Sequence, residues 1–125
     1  MALFSNDIKA TGRWGEAQAA QYLKRKGYRI LERNYSCRFG EIDIIASYRK
    51  HLIFVEVKTR KDASFAQARE FVGAGKQRRV LSAASVWMAN HDTELEPRFD
   101  VIEIYGTPDM PYRKLEIHHF EDAFS

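Results

Sequence analysis

The stretch Leu52–Arg60 constrains this chain more than any other, because it reads as a strand buried on both faces and yet carries charges. It runs Leu-Ile-Phe-Val-Glu-Val-Lys-Thr-Arg, and its continuous apolar, β-branched character is typical of a central strand. Glu56 and Lys58 lie two residues apart, so their side chains share one face of the sheet. Burying an ion is costly unless a partner compensates it. A structural Glu–Lys ion pair is one interpretation, and a functional site is the other.

The length and composition favour one globular domain. The chain has 125 residues, enough to bury a core, and we expect residues 1–125 to form a single domain. No apolar run approaches the ~18 residues that a membrane span needs, and Met1–Lys9 lacks the apolar stretch of a signal peptide. The single Cys37 cannot form an internal disulfide. We therefore expect a cytoplasmic protein that has no membrane partner.

Charge is distributed unevenly along the chain. Residues 1–91 carry 17 Lys and Arg against 8 Asp and Glu, whereas residues 92–125 carry 3 against 9. A basic body is a mild indication of a polyanionic partner such as nucleic acid. Ordinary solvated surface charge explains the same composition, so the candidate phosphate contacts need support from the fold. These candidates are Lys24, Arg25, Arg60, Lys61, Arg78 and Arg79.

Apolar periodicity and turn residues divide the chain into helices and strands. Three successive strands favour an antiparallel meander, and a helical crossover before the next strand favours a parallel neighbour. The predicted fold is an α/β fold with a mixed sheet flanked by helices, in the order α-β-β-β-α-β-β. Helices are predicted at Lys9–Lys26 and Lys76–Asn90, a loop at Lys61–Gly75, and strands at Tyr28–Tyr35, Glu41–Tyr48, Leu52–Arg60, Arg98–Tyr105 and Tyr112–Phe120.

Three further ionisable residues fall where the pattern predicts little solvent. Glu16 lies on the same face of the first helix as Leu23. Asp43 interrupts an apolar strand, although Asp is depleted in strands. Lys76 lies four residues before Val80 and extends the apolar stripe of the second helix. A structural ion pair or a snorkelling lysine explains each of them singly, but their number favours a functional site.

The turn at Arg49-Lys50 sets which residues face each other across the second and third strands. A loop of two or four residues centred there places Asp43 opposite Glu56 and Glu41 opposite Lys58. A loop of three or five residues would shift this register. Two carboxylates facing each other in a dry site repel and do not both ionise, unless a cation lies between them.

Three acids from different elements suit a hard divalent cation. Glu16, Asp43 and Glu56 offer carboxylate oxygens, which Mg²⁺ prefers, and Mg²⁺ keeps waters that leave room for phosphate oxygens. A nearby lysine can orient a water molecule and neutralise charge that develops on phosphorus. The sequence therefore predicts a magnesium site at which phosphate chemistry is possible.

The spacing of these residues resembles a known motif. Asp43 followed by Glu56-Val57-Lys58 resembles the PD-(D/E)XK motif of restriction-endonuclease-like nucleases. Longer strings from about Gly12 to Ile104 resemble the YraN family of small bacterial proteins, whose core is similar to that of archaeal Holliday junction resolvases. These strings are Gly15-Glu16-Ala17, Asn34, Gly40-Glu41-Ile42-Asp43, Phe54-Val55-Glu56-Val57-Lys58-Thr59-Arg60, Lys76 and Arg98-Phe99-Asp100.

The resemblance implies a restriction-endonuclease-like three-layer core and a metal-dependent endonuclease that uses Mg²⁺ or Mn²⁺. It implies that Asp43 and Glu56 bind the metal with the carbonyl of Val57, and that Lys58 positions the attacking water. DNA, including branched or damaged DNA, is the implied partner, and a homodimer is left open.

The same resemblance implies auxiliary roles for residues outside the motif. Glu16 would be an acidic partner carried on the helix, and Lys76 would contact the phosphate or the water. Glu41, Arg60 and Gln77 are further candidates near the site.

Two alternatives to a nuclease stay open at this point. One is a nucleic-acid-binding module with the same fold and no cleavage, and the other is a structural or partner-binding domain. The pair His118-His119 is expected at the surface and not at a metal, because adjacent residues on a strand point to opposite faces.

Overall fold

The computed structural model describes residues 2–61 and 73–125, and their side chains from Gly12 onward. Two helices and five strands follow one another in the predicted order, and a short 3₁₀ helix at Tyr112–Lys114 precedes the last strand. The elements are α1 (Ala2–Arg25), β1 (Arg29–Cys37), β2 (Gly40–Tyr48), β3 (His51–Arg60), α2 (Ala74–Ala89), β4 (Glu96–Tyr105) and β5 (Glu116–Phe124).

The strands form one mixed sheet in the order β1-β2-β3-β4-β5. β1, β2 and β3 are antiparallel neighbours, β3 and β4 run parallel, and β5 returns antiparallel to β4. The parallel pair follows from the crossover through α2, since two parallel strands cannot be joined by a tight turn. The α/β class, the mixed sheet and the element order are confirmed.

One helix covers each face of the sheet. α1 packs Ala19 and Leu23 against a cluster that includes Ile53, and α2 packs Ala83 against a cluster on the opposite face that includes Phe54. Both clusters are built from apolar side chains that are almost fully buried. The layers are therefore helix, sheet and helix, with β3 buried on both faces as its continuous apolar run predicted.

The register between β2 and β3 agrees with the prediction as far as Ile44 and Val55, but the predicted pairs Asp43–Glu56 and Glu41–Lys58 are not among the paired residues. Tyr48 pairs with His51 across a two-residue turn, and the pairing continues to Ile44 opposite Val55. The turn residue Arg49 has a φ of 54°, a left-handed conformation that is uncommon outside glycine. The turn therefore fixes the register without the Gly or Asn that usually marks such a hairpin.

The regular alternation of β2 breaks at Asp43, just beyond the last paired residue. Ile42 packs in the cluster under α2, whereas Ile44 packs in the cluster under α1, although residues two apart on a strand normally share a face. The Asp43 side chain replaces a carbonyl of the strand as hydrogen-bond acceptor there, because its Oδ2 accepts a hydrogen bond of 2.8 Å from the N–H of Val57. β2 and β3 part beyond this point and leave room between them.

Two strand boundaries differ from the prediction. β4 begins at Glu96, two residues before Arg98, because its first residues already pair with the start of β3. β5 begins at Glu116 and not at Tyr112, since the chain after Pro111 first forms the 3₁₀ helix. Local apolar content does not reveal where long-range pairing starts.

The helix boundaries also shift. α1 begins at Ala2, seven residues before the predicted Lys9, and α2 begins at Ala74, two residues before Lys76. Most of the predicted loop Lys61–Gly75 lies outside the described residues. Within residues 2–61 and 73–125, no helix is long and apolar enough to cross a membrane.

Candidate active site

A cleft of about 610 Å³ opens where β2 and β3 part. α1, β2, β3, α2 and the connection between β4 and β5 all contribute to its wall. The predicted acids and lysines from four separate elements meet here. The charged residues that line the cleft are Glu16, Glu41, Asp43, Glu56, Lys58, Arg60, Lys61 and Lys76.

Glu56 is the most buried acid of the cleft, with 6% of its surface exposed. Its Oε1 lies 3.5 Å from Nζ of Lys76. Its Oε2 is buried and has no hydrogen-bond partner among the described residues. Burial and the charge of Asp43 raise the pKa of Glu56 to about 7, although Lys76 and Lys58 oppose the rise. The carboxylate therefore has one oxygen paired with a lysine and one left without a partner.

Asp43 lies beside Glu56 and is held by the backbone. Burial raises its pKa, while the hydrogen bond from Val57 and the charge of Lys76 favour the ionised form. The charge of Asp43 raises the pKa of Glu56, whereas a hydrogen bond between the two side chains lowers the pKa of Asp43. The pair therefore holds more negative charge when a cation is close.

Glu16 approaches the same point from α1. Burial and the charge of Asp43 raise its pKa, and its Oε1 is buried without a hydrogen-bond partner in the described part of the chain. The preceding Gly15 allows this approach, because a Cβ at that position would overlap the side chain of Thr59 on β3. The helical spacing that predicted Glu16 on the inner face is confirmed.

The two lysines reach the cleft from different sides. Lys76 lies in the first turn of α2 and forms the ion pair with Glu56. Lys58 lines the cleft from β3. In the register of the two parallel strands it lies opposite Glu103 of β4. Glu103 is almost fully buried, and its Oε1 accepts a 2.7 Å hydrogen bond from the Tyr105 hydroxyl. Sequence reasoning missed this acid, whose only signal was a charge inside the apolar run of β4.

The donor atoms suit a hard cation, but the set is smaller than expected. Among residues 12–61 and 73–125, no three His, Cys, Asp or Glu side chains are arranged to hold a metal ion together. Glu16 approaches Asp43 from α1, and the charge of Asp43 contributes to its raised pKa, but the three carboxylates do not form a group that could hold one ion, contrary to the prediction. Asp43, Glu56 and the Val57 carbonyl stay the predicted ligands, and the unpartnered Oε2 of Glu56 fits a cation-binding role.

The predicted nucleic-acid contacts divide into two groups. Arg60 and Lys61 line the cleft, Gln77 is half-buried on α2, and Arg78 and Arg79 are exposed on the same helix. All of these residues lie at the end of the sheet that carries the cleft or on the helix beside it.

Lys24 and Arg25 form the other group, at the far end of α1. They do not line the cleft, and eight residues of helix place Lys24 about 12 Å beyond Glu16 along the axis. The Arg25 guanidinium instead lies 4.4 Å from the centre of the Tyr112 ring. The structure therefore does not bring this pair to the site.

A second polar cluster lies near that end of α1 and corrects the expectation for His119. Its side chain is 4% exposed and its Nε2 lies 2.7 Å from Oδ2 of Asp100. Arg98 donates two further hydrogen bonds to Asp100. Although burial raises it, the bonds from His119 and Arg98 hold the pKa of Asp100 below its usual range. The surface assignment was wrong for His119, while His118 is 40% exposed.

Known proteins resemble this chain over most of its length. Residues 15–104 match the model of the uncharacterised protein family UPF0102. A UPF0102 protein of Caldanaerobacter subterraneus is 43% identical over 117 residues, which cover 93% of this chain and 95% of the relative. The relative from Syntrophotalea carbinolica is 47% identical over 114 residues, or 90% of this chain and 89% of its own. The resemblance to the YraN family is thereby confirmed, and this chain belongs to the uncharacterised protein family UPF0102.

Proposed function

We propose that the cleft hydrolyses phosphodiester bonds in DNA, including branched or damaged DNA, with Mg²⁺ or Mn²⁺ as cofactor. The observation that carries the proposal is the convergence of Asp43 and Glu56 in a buried position with one Glu56 oxygen left without a partner. Two such acids destabilise each other and also repel DNA. A bound cation would remove both the repulsion between the acids and their repulsion of DNA, which explains why two acids occur together in this cleft.

The reaction breaks one P–O bond and consumes one water. The water oxygen attacks phosphorus, its proton passes to a base or to bulk water, and the leaving oxygen takes up a proton. A bound divalent cation supplies charge neutralisation at the phosphate and lowers the pKa of water. Asp43, Glu56 and the Val57 carbonyl would hold the cation.

The lysines have separate tasks in this proposal. Lys58 donates a hydrogen bond that orients the water against the phosphate. Lys76, which pairs with Glu56 at 3.5 Å, is close enough to move from the carboxylate to a phosphate oxygen when DNA binds. Glu16 lies beside Asp43 and accepts hydrogen bonds from the water that enters the cleft.

A nucleic-acid-binding module without cleavage is the second candidate. The Lys76–Glu56 ion pair favours it, because this contact already satisfies one oxygen of the acid without a metal. Arg60 and Lys61 at the cleft and Arg78 and Arg79 on α2 would serve either function through phosphate contacts.

The test is cleavage of linear, nicked, flap and four-way DNA with Mg²⁺ or Mn²⁺, by the native protein and two lysine variants. Lys58→Ala should lower the cleavage rate by about 10²-fold or more, as for other groups that act in the transition state. Lys24→Ala is the control, since Lys24 is an exposed lysine remote from the cleft.

The two candidates give different results. Cleavage that depends on Lys58, together with duplex affinity that does not, supports the nuclease. Absence of cleavage on every DNA with intact binding supports the module. Mn²⁺ titration of Asp43→Asn and Glu56→Gln tests the ligands separately, and unchanged affinity in both variants would exclude these acids as ligands.

A further inference from the structure

We propose that the turn between β1 and β2 is a stacking platform for an unpaired base, so that the DNA bound by this protein has a single-stranded nucleotide beside the cleft. The proposal rests on the proposed function in that the cleft is taken to hold DNA. It adds a site in which a DNA base stacks on Phe39 and neighbouring basic side chains bind the DNA phosphates.

Phe39 is an exposed aromatic residue in basic surroundings. Its exposed fraction is 50%, and among the residues whose side chains are described only Leu31, at 40%, is another large hydrophobic residue classed as exposed. A single exposed hydrophobic residue is ordinary. The setting of Phe39 is not, because the Arg38 guanidinium lies 5.2 Å from its ring centre.

A groove of about 380 Å³ joins this turn to the cleft. Phe39, Arg38 and Arg79 line it together, which brings one aromatic and two basic residues to the same groove. Glu41 and Lys76 line both the groove and the cleft. A strand lying in the groove therefore passes directly to the lysine that contacts Glu56.

The platform is fixed relative to the site. A Cβ on Gly40 would lie 2.5 Å from the carbonyl oxygen of Arg79, so the turn rests directly on the backbone of α2. α2 also carries Lys76. Three residues lie between Phe39 and Asp43, and the four steps along an extended chain span about 13 Å. Phe39 therefore stands a few nucleotides from the proposed scissile bond.

The combination of groups favours single-stranded DNA over duplex DNA. Proteins bind single strands by stacking bases on aromatic rings within a positively charged groove. Bases inside a duplex are already stacked on each other and cannot offer a free face to Phe39. A protein partner could use the same exposed ring, but it would not require the flanking guanidinium groups or the connection to the cleft.

The test measures binding of the full chain in EDTA, which separates it from cleavage. The probes are an unpaired poly-dT oligonucleotide and a blunt duplex. Phe39→Ala should weaken binding of the oligonucleotide by about 5- to 150-fold and leave duplex binding unchanged. Phe39→Leu keeps an apolar side chain without a π-face and should lose affinity similarly, whereas Phe39→Tyr should retain it.

Leu31→Ala is the matched control, because Leu31 is the other exposed hydrophobic residue and lies on β1 away from the groove. It should not change either affinity. Equal oligonucleotide affinities for the native protein, Phe39→Ala and Phe39→Leu would overturn the platform even if the native protein cleaves DNA. Loss of oligonucleotide binding in these variants would support the platform even if no DNA is cleaved, so the two proposals fail independently.

Discussion

The charge state of Glu56 should make the metal-free protein less stable as the pH rises. Burial and Asp43 raise the pKa of Glu56 to about 7 in the folded protein, whereas an unfolded chain leaves it near its ordinary value of 4.5. Between these two values the folded state binds more protons than the unfolded state. Stability therefore falls as pH increases through this window, and the loss is complete above the folded pKa.

The expected size follows from the difference between the two pKa values. A difference of one in pKa is worth about 1.36 kcal/mol, so ionising Glu56 in the folded protein costs about 3 kcal/mol. For a chain of this length, that corresponds to roughly 10 °C in the melting temperature. Glu56→Gln removes the charge while keeping the shape. The variant should match the native protein near pH 4.5 and exceed it by up to this amount at pH 8.

The assay is thermal unfolding of both proteins in EDTA across this pH range. Glu94→Gln is the control, since Glu94 is an exposed acid in the connection between α2 and β4. Its melting temperature should follow that of the native protein across the pH range. Adding Mg²⁺ at pH 8 should restore stability to the native protein, by about 2.7 kcal/mol at one hundred times the dissociation constant. The same Mg²⁺ concentration should raise the stability of Glu56→Gln by a smaller amount.

A difference between Glu56→Gln and the native protein that is constant from pH 4.5 to pH 8 would refute this reasoning. In that case the Lys76–Glu56 ion pair would dominate, and removing Glu56 would simply leave a lysine without its partner.

Three further predictions concern the supports of the site. Gly15→Ala should lower the free energy of unfolding by about 1–3 kcal/mol in urea denaturation, because its Cβ overlaps Thr59, and adding Thr59→Ala should restore part of the loss. Arg98→Ala leaves Asp100 buried with fewer partners and should cost about 3–5 kcal/mol; unchanged melting would contradict this, and DNA affinity should not move. Lys61→Ala should reduce the slope of log K against log salt for duplex DNA by about 0.9, and an unaltered slope would remove Lys61 from the phosphate contacts.

Local patterns predicted the centre of the site because its elements are adjacent in the chain. The two-residue turn sets the register of β2 and β3, so counting from Arg49 brought Asp43 and Glu56 to the same end of the hairpin, although the pairing stops at Ile44 and Val55. Helical spacing then placed Glu16 and Lys76 on inward faces. Each step needed only the geometry of one strand pair or one helix.

The errors lie where distant segments meet. His119 is buried because Asp100 on β4 accepts from it, and the apolar content of β5 contains no trace of that partner. Glu103 lies in an apolar run, and the Tyr105 hydroxyl, a partner that the run does not reveal, bonds to it. Sequence reasoning did not single out Phe39, because an aromatic residue in a turn becomes a candidate for binding only when the fold places a groove beside it.

The hairpin of β2 and β3 has a closed part, paired from its turn to Ile44 and Val55, and an open part beyond them where the strands are not paired. Its closed part holds the sheet together through backbone bonds and apolar packing, and its open part carries the acids. A substitution at Glu56 thus leaves every backbone bond of the closed part in place. A relative without these acids would keep the closed part of the hairpin, so the open end is where proteins of this fold can differ in function.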